Sequence, residues 1–353
     1  MRTMIAMSGG VDSSVAALLA KDFSDECIGC TMKLFENDTA GLEPEDGCCG
    51  LDKTEDARSV AYRLGMHFYA MSFTEAFRKD VLEPFAAEYR RGRTPNPCID
   101  CNRCLKFGAL YTRAMELGCG CLVTGHYARV VEQDGEYLLK KALDESKDQS
   151  YVLYMLTQEQ LAHIRFPLGE LTKTRVREIA AEHGFVSADT PDSQDLCFVP
   201  DGDYAAAAER ISGEAAVPGP FMDLDGNVIG EHRGIIHYTI GQRRGLGQSF
   251  GDRAYVVRID PASNAVVLGP NAALFTRQAA ADSFHWISGK LPEEPVRCRV
   301  KTRYRQKEQP AVVTSTGPDT AEIRFDEPQR AVTPGQAAVL YDGDTVLGGG
   351  VLI

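Results

Sequence analysis

Ser8-Gly9-Gly10-Val11-Asp12-Ser13-Ser14 joins an apolar run, Thr3 to Met7, to a helix-like run, Asp12 to Lys21. Two adjacent glycines let the backbone turn tightly and bring N–H groups close to an anion. The serines add hydroxyl donors, and the N-terminus of the following helix favours negative charge. This stretch therefore predicts a phosphate-binding loop between a buried strand and a helix.

The loop differs from two common nucleotide-binding patterns. The Walker A pattern G-x-x-x-x-G-K-[ST] does not occur in the chain, and no G-x-G-x-x-G follows an early strand. The loop instead resembles that of the ATP pyrophosphatase, or PP-loop, superfamily, whose members cleave ATP between the α and β phosphates and adenylate a substrate oxygen. A tight turn without a ligand is the alternative interpretation.

Strand-like and helix-like runs alternate through the first half of the chain. Such alternation is typical of a parallel sheet covered by helices on both faces. We expect strands at Thr3–Met7, Cys27–Leu34, His67–Met71 and Cys121–Thr124 and helices at Asp12–Lys21, Thr54–Leu64, Thr74–Tyr89, Leu105–Leu117 and Thr172–His183. Thr172 is placed to cap the last of these helices, and Gly184 to end it.

The second half has a different character. Turn formers are frequent from Gly213 to Gly269, with short β-rich runs between them, and longer β-rich runs alternate with turns from Ser283 to the end. We predict an α/β PP-loop domain at 1–205, a small central β-rich domain at 210–272 and a C-terminal antiparallel β-barrel at 283–353.

Composition narrows the class of protein. The 353 residues are 44% hydrophobic and 25% charged, as in ordinary globular proteins, and no apolar run is long enough to cross a bilayer. The first residues lack the features of a signal peptide, so we expect a cytoplasmic protein without a membrane partner. In a reducing compartment the 11 cysteines are expected to be catalytic, metal-binding or buried rather than paired in structural disulfides.

The formal net charge of -12 argues against a general polyanion binder. One basic run is the exception, because alternate residues of a strand lie on one face. If the run from Val296 to Arg305 and just beyond is extended, it presents six cations together: Arg297, Arg299, Lys301, Arg303, Arg305 and Lys307. Such a stripe predicts an RNA contact, and a charged, solvated edge strand is the alternative.

A second informative stretch is Thr94-Pro95-Asn96-Pro97-Cys98-Ile99-Asp100-Cys101-Asn102-Arg103-Cys104. Asn96 can cap a helix that begins at Pro97, which would put Cys98 and Cys101 in its first turns. The helix dipole, together with Arg103 and Lys106, is expected to lower the pKa of these thiols and make them reactive.

A distant cysteine, Cys197, lies in the polar stretch Asp192-Ser193-Gln194-Asp195-Leu196-Cys197-Phe198. A lone cysteine is usually a small buried hydrophobe, but ATP-driven sulfur insertion needs one sulfur carrier and one thiol that releases the sulfur. Two alternatives stay open. One is a PP-loop amidotransferase or ligase with idle cysteines, and the other is an RNA-binding module in which Cys98, Cys101, Cys104 and Cys197 hold zinc.

Taken together, the motifs resemble the bacterial MnmA/TrmU family nearly end to end. They are S-G-G-V-D-S, N-P-C-I-D-C-N, T-G-H-Y at Thr124–Tyr127, K-D-Q-S-Y at Lys147–Tyr151, D-S-Q-D-L-C-F, T-I-G-Q-R-R-G-L-G at Thr239–Gly247, R-Y at Arg303–Tyr304 and P-G-Q at Pro334–Gln336. The resemblance implies ATP-dependent 2-thiolation of the wobble uridine in tRNAs for Gln, Lys and Glu. It also implies tRNA and a sulfur-donor protein, such as a cysteine desulfurase or a relay, as partners.

The resemblance also implies roles for individual residues. It makes Cys101 the nucleophile and Cys197 the persulfide carrier. ATP and Mg²⁺ are expected at Ala6, Met7, Ser8, Gly9, Gly10, Val11, Asp12 and Ser13, with Met32 and Gly125 on the adenosine. Contacts with tRNA are expected from Asn96, Pro97, Cys98, His126, Lys147, Asp148, Gln149, Arg303, Tyr304 and Gln336. Without the motifs, His126 is equally typical of a core histidine and Lys147–Gln149 of a solvated loop.

One departure from the family leaves the route of sulfur open. Many relatives have Asp where this chain has Cys98, so an acid or base role of that Asp cannot be transferred. The thiols fit two routes, a persulfide on Cys197 resolved by Cys101, or a [4Fe-4S] cluster on Cys98, Cys101 and Cys197. We favour the persulfide because it needs only the two cysteines that the family motif supports most directly.

Overall fold

The computed structural model describes residues 1–35, 51–185, 196–248 and 254–353. The first domain is built on a parallel sheet of order β3-β2-β1-β4-β7. Its strands are β1 (Arg2–Ala6), β2 (Glu26–Lys33), β3 (His67–Ser72), β4 (Cys121–Val123) and β7 (Ile164–Arg165). This arrangement confirms the predicted parallel α/β domain.

Helices cover both faces of this sheet. They are α1 (Val11–Ala20), α2 (Leu51–Arg63), α3 (residues 74–90), α4 (residues 97–116), α5 (Gln158–His163), α6 (Lys173–Glu182) and α7 (Tyr204–Ser212). The hydroxyl of Thr172 accepts from the Arg175 N–H and caps α6, as predicted. Apolar residues of α1, α2 and α6 pack on one face of the sheet, and those of α4 pack on the other.

Two of these helices are not α-helical throughout. In α3 the segment Arg78–Leu82 is π-helical, and in α4 the segment Cys101–Leu110 is π-helical between α-helical turns at Pro97–Asp100 and Tyr111–Glu116. Short π-helical segments often occur at functional sites. In α4 this segment begins at the predicted nucleophile, Cys101.

A hairpin of the first domain leaves the parallel sheet. Strands β5 (Ala128–Gln133) and β6 (Glu136–Lys141) pair antiparallel with each other, and Lys140 of β6 is in register with Thr345 of the C-terminal sheet. The alternating pattern of the first half did not predict this hairpin. It ties the first domain to the C-terminal one through backbone pairing.

The central domain carries its own small sheet, of order β10-β11-β8-β9. Its strands are β8 (Gly219–Met222), β9 (Val228–His232), β10 (Tyr255–Asp260) and β11 (Ala265–Gly269). Phe221, Val256, Val266 and Leu268 are buried and join a hydrophobic cluster with residues of α3 and α7. The central domain therefore packs directly on the first.

The C-terminal domain is a closed antiparallel barrel. Its strands are β12 (Phe275–Trp286), β13 (Val296–Lys301), β14 (Gln309–Ser315), β15 (Ala321–Arg330), β16 (Ala337–Asp342) and β17 (Thr345–Leu352). They pair in the order β12-β15-β14-β13-β16-β17, and β12 also pairs with β17, which closes the barrel. Closure removes exposed strand edges and confirms the predicted barrel.

The described part of the chain contains no helix that is long and apolar enough to cross a membrane.

Candidate active site

The predicted phosphate loop turns sharply between β1 and α1. Gly9 has φ +79°, and a Cβ there would lie 2.2 Å from the carbonyl oxygen of Lys53 in α2. Both the left-handed backbone and the close approach of α2 therefore require glycine. The residue type was predictable from the turn, but the contact with Lys53 was not.

Hydrogen bonds within the loop fix its shape. The Ser13 hydroxyl donates to the Gly10 carbonyl at 3.0 Å and accepts from the Ser8 N–H at 3.1 Å. The Ser14 hydroxyl also donates to the Gly10 carbonyl, at 3.0 Å. Gly10 supplies no side-chain cap to α1. The first-turn N–H groups of a helix have no acceptor within the helix, so this end is suited to a phosphate.

The structure brings the predicted ATP residues to one edge of the sheet. Since β1, β2 and β4 are parallel neighbours, Ala6, Met32 and the residues after Val123 lie at their carboxyl ends. A Cβ at Gly125 would lie 2.9 Å from the Ser13 nitrogen, so the backbone there packs against the start of α1. Ligands of open parallel sheets bind at this edge, where the strand order reverses. ATP at these residues stays a prediction.

Sequence reasoning missed two neighbours of Asp12. The Lys173 ammonium donates to both Asp12 carboxylate oxygens, at 2.7 and 2.8 Å, and the Tyr127 hydroxyl donates to Oδ1 at 2.7 Å. Lys173 and Tyr127 are both buried. A lysine at the first position of α6 opposes the helix dipole, and that was the available sequence signal.

The start of α4 carries the predicted reactive thiols. Cys98 is exposed, whereas Cys101 and Cys104 are partly buried against the same hydrophobic cluster as Cys197. The fold therefore places thiols that are far apart in sequence on one cluster. The helix begins at Pro97 with Asn96 at its N-cap position, as predicted, but the Asn96 side chain makes no capping hydrogen bond. Cys48, Cys49 and Asp192 to Asp195 lie outside the described residues.

Charges beside the thiols are arranged differently from the expectation. The Arg103 guanidinium lies 2.6 Å from the Asp100 carboxylate and also interacts with the Cys104 thiol. Burial raises the pKa of Asp100 to about 6, although Arg103 lowers it, and Glu88 raises it further. Asp100, at the centre of the cysteine motif, is thus easier to protonate than an exposed aspartate.

His126 lies in the interior. It is 7% exposed, packs against Phe107 and Phe166, and its Nδ1 is 2.6 Å from the Thr124 hydroxyl. Burial and the nearby Lys106 ammonium, 3.5 Å from Nε2, hold the pKa of His126 well below its usual value. The ring is therefore neutral and engaged within the protein. This placement matches the core-histidine interpretation and does not present the ring to RNA.

The Lys147–Gln149 segment is also built into the fold. Asp148 is buried and accepts from the N–H of Ala142 and from the N–H and hydroxyl of Ser150. The Gln149 amide oxygen accepts from the Tyr127 N–H at 2.9 Å. The Asp148 carboxylate is therefore engaged within the protein, so the solvated-loop interpretation is wrong for it.

Tyr304 connects this segment to the thiol helix. Its hydroxyl donates to the Asp148 carbonyl at 3.1 Å. Burial raises the pKa of Tyr304, and the neighbouring Asp148 and Cys98 raise it further. The structure thus groups three of the predicted tRNA residues, Cys98, Asp148 and Tyr304, although Tyr304 belongs to the C-terminal domain.

The predicted basic stripe is wrong beyond its third cation. Strand β13 ends at Lys301, and the chain turns before Arg303, so the six side chains do not share a face. Arg297 pairs with Asp326 at 2.7 Å, and Arg299 donates to the Glu308 carbonyl at 3.0 Å. Arg303 donates to Ile240, Ala331 and Thr333 and joins the central domain to the barrel.

Within residues 1–35, 51–185, 196–248 and 254–353, no three His, Cys, Asp or Glu side chains are grouped so that they could hold a metal ion. Cys98, Cys101 and Cys197 therefore do not form a three-ligand site for a single metal ion in the part of the chain that the structure describes.

Fold and site together define an ATP-using PP-loop protein with two additional β domains. Family models match along the chain: a tRNA methyl transferase HUP domain at 1–201, a tRNA methyl transferase PRC-barrel domain at 209–270 and an aminomethyltransferase beta-barrel domain at 276–352. The tRNA-specific 2-thiouridylase MnmA of Clostridioides difficile is 49% identical and spans 99% of this chain and 98% of its own. The tRNA-specific 2-thiouridylase MnmA of Acetivibrio thermocellus is 47% identical, and the match covers 99% of this chain and 99% of that protein. The chain belongs to the MnmA family of tRNA-specific 2-thiouridylases.

Solved structures resemble the chain more distantly. The U34-tRNA thiolase NcsA from Methanococcus maripaludis, with its [4Fe-4S] cluster, aligns with TM-score 0.36 and 17% identity over 60% of this chain and 70% of its own. A 4-thiouridine synthetase in complex with RNA and ATP aligns with TM-score 0.34 and 17% identity, over 60% and 53%. Likeness at this level adds nothing to the family assignment.

Proposed function

We propose that this protein replaces the C2 oxygen of the wobble uridine in tRNAs for Gln, Lys and Glu with sulfur. The observation that carries the proposal is the near-full-length match to proteins named tRNA-specific 2-thiouridylase. The structure adds a phosphate loop and a thiol-bearing helix in one domain, which are the two parts that such a reaction needs.

The first step is adenylation of the uridine O2. The loop from Ala6 to Ser13 holds the phosphates of Mg²⁺-bound ATP, with Met32 and Gly125 against the adenosine. The uridine oxygen attacks the α-phosphate, and pyrophosphate leaves. Lys173 contributes positive charge beside Asp12 at the end of the loop, where negative charge develops. AMP on O2 is then a good leaving group.

The second step moves sulfur from a persulfide on Cys197. Its terminal sulfur attacks C2 of the uridine, AMP leaves, and a disulfide joins the Cys197 sulfur to the base. The Cys101 thiolate attacks the Cys197 sulfur, which releases 2-thiouridine and leaves a Cys101–Cys197 disulfide. A thiol reductant must supply two electrons per turnover to restore both thiols. A sulfur-donor protein, such as a cysteine desulfurase or a relay, then reloads Cys197.

A [4Fe-4S] cluster on Cys98, Cys101 and Cys197 is the alternative source of sulfur, and thiolates are suitable ligands for one. The two routes are separated by anaerobic purification followed by iron and acid-labile sulfide analysis. The persulfide route predicts a metal-free enzyme that turns over with a persulfide donor and accumulates the Cys101–Cys197 disulfide. About four irons per chain, lost with activity in Cys98→Ala, would replace it with the cluster route.

The experiment that tests the proposed function combines two readouts. With purified protein, ATP and unmodified tRNA, we expect release of pyrophosphate that depends on tRNA, and mass spectrometry should find oxygen exchanged for sulfur at the wobble uridine. Release of phosphate with ADP would contradict the adenylation step. A base that gains a methyl group, as the family-model description suggests, would contradict thiolation.

A further inference from the structure

The segment just before the thiol helix is held by the C-terminal barrel. The Thr94 N–H donates to the Pro334 carbonyl at 2.9 Å, and the Gln336 side-chain amide donates to the Thr94 carbonyl at 2.8 Å. The same amide lies 3.4 Å from the Pro95 carbonyl. The barrel therefore bonds the peptide groups on both sides of Thr94.

The fit between these segments is close. Gly335 has φ +90°, and a Cβ there would lie 2.9 to 3.0 Å from the backbone atoms of Thr94. The Gly335 N–H donates to the Leu352 carbonyl, and the Leu352 N–H donates to the Gln336 carbonyl, at 2.9 and 2.8 Å. The barrel side of the contact is thus anchored in its last strand.

The central domain reaches the same place. The Thr94 hydroxyl donates to the Thr239 hydroxyl at 3.2 Å, and Thr239 begins the T-I-G-Q-R-R-G-L-G stretch. Arg93 donates to the Leu352 carbonyl at 3.1 Å. All three domains therefore meet at Thr94, four residues before Cys98.

The backbone between Thr94 and Cys98 is stiff. Pro95 and Pro97 fix their own φ angles, and each restricts the residue before it to extended conformations. A displacement of Thr94 is therefore passed to the first turn of α4 rather than absorbed by the linker. Pro97, the first residue of α4, is buried, so the linker is packed against the protein at this end as well.

We propose that Gln336 is a positioning residue, which sets the start of the thiol-bearing helix from the barrel through its bonds to Thr94 and Pro95. This differs from the direct tRNA contact that the family resemblance implies for Gln336. Its effect on turnover rests on the proposed function, but its effect on the thiols does not.

The test measures thiol reactivity in protein without RNA, ATP or sulfur donor. Gln336→Ala and Gln336→Glu each remove the donated hydrogen bond, and Glu preserves the side-chain volume. The rate of Cys98 alkylation by iodoacetamide, followed by peptide mass spectrometry, is expected to change by on the order of fivefold in both variants. Gln309→Ala is the matched control, because the Gln309 amide donates to the Lys307 carbonyl within the barrel.

Steady-state thiolation gives the second readout. A positioning role predicts a lower kcat in the Gln336 variants with an unchanged KM for tRNA. Unchanged alkylation rates with a raised KM would overturn the proposal in favour of a direct RNA contact. An equal change in alkylation for Gln309→Ala would overturn it as well, since the effect would then not depend on the bond to Thr94. If the parent protein did not thiolate tRNA, the proposed function would be wrong. The alkylation rates would still decide whether Gln336 positions the thiol helix.

Discussion

The ammonium of Lys173 donates to both carboxylate oxygens of Asp12, at 2.7 and 2.8 Å, across 161 residues of sequence. The pair joins the first turns of α1 and α6 beside the phosphate loop. Lys173 is buried, and the Asp12 side chain is one-third exposed. The bond therefore fixes the position of the loop and the charge at its end together.

A double-mutant cycle tests this pair. Asp12→Asn and Lys173→Met should show a coupling free energy of roughly 1–3 kcal/mol in urea unfolding, because either change alone leaves one charge uncompensated. Each should slow tRNA-dependent pyrophosphate release by about a hundredfold. Lys21→Met, at the exposed far end of α1, is the control. Strictly additive effects would show that the two residues act independently.

Gly9 provides a second test, with Gly135 as its match. Both have φ near +80°, but a Cβ at Gly135 would have nothing within 4 Å, whereas one at Gly9 would meet Lys53. Gly135→Ala should lower the unfolding free energy by about 1 kcal/mol, which is the penalty for placing a Cβ on a left-handed backbone. Gly9→Ala should cost more and abolish ATP binding in calorimetry. Equal losses of stability and intact ATP binding would contradict the close packing of the loop on α2.

Because the chain turns after β13, we expect Arg303 and the basic residues after it to have different roles. Arg303→Ala should lower the unfolding free energy by about 2 kcal/mol, because the contacts between the central domain and the barrel are lost. Exposed Arg305 and Lys307 should instead contact tRNA phosphates. Changing both to Ala should reduce the slope of log affinity against log salt by about two. A slope equal to the parent's would place the tRNA elsewhere.

Burial of His126 predicts a stability that depends on pH. Its pKa in the folded protein is lowered by burial and by Lys106, so the unfolded chain binds more protons over this range. The stabilisation is complete above the unfolded value of about 6.5 and is lost as pH falls below it. Against the parent, His126→Gln should flatten the fall in unfolding free energy between about pH 7 and pH 5. A fall in His126→Gln as steep as that of the parent would refute the assignment.

Adenylation precedes sulfur transfer, so loss of a thiol should block the second step without blocking the first. Cys101→Ser and Cys197→Ser should each abolish 2-thiouridine while keeping a first round of tRNA-dependent pyrophosphate release, because neither thiol is needed to activate the oxygen. Cys298→Ser, at a buried cysteine of the barrel, controls for loss of a thiol. Loss of pyrophosphate release in Cys197→Ser but not in Cys101→Ser would place sulfur loading before adenylation.

The parts of the fold that local chemistry specifies could be predicted along the chain. Adjacent glycines after an apolar run fixed the strand-loop-helix unit at Gly9 and Gly10, since few other residues permit that backbone. Alternation of strand-like and helix-like runs fixed the parallel sheet, and even spacing of β-rich runs fixed the barrel. These patterns repeat at short range, so they are visible along the chain.

Contacts between residues that are distant along the chain could not be predicted in this way. Lys173 and Tyr127 at Asp12, Gln336 at Thr94 and Tyr304 near Cys98 are partners across long stretches of chain, and no local pattern encodes such pairs. The structure also ended β13 at Lys301, where Thr302 is buried, and so broke a stripe that ideal strand periodicity had extended. Burial and cross-domain hydrogen bonds outweigh local periodicity there, because a buried polar group must find a partner wherever the fold supplies one.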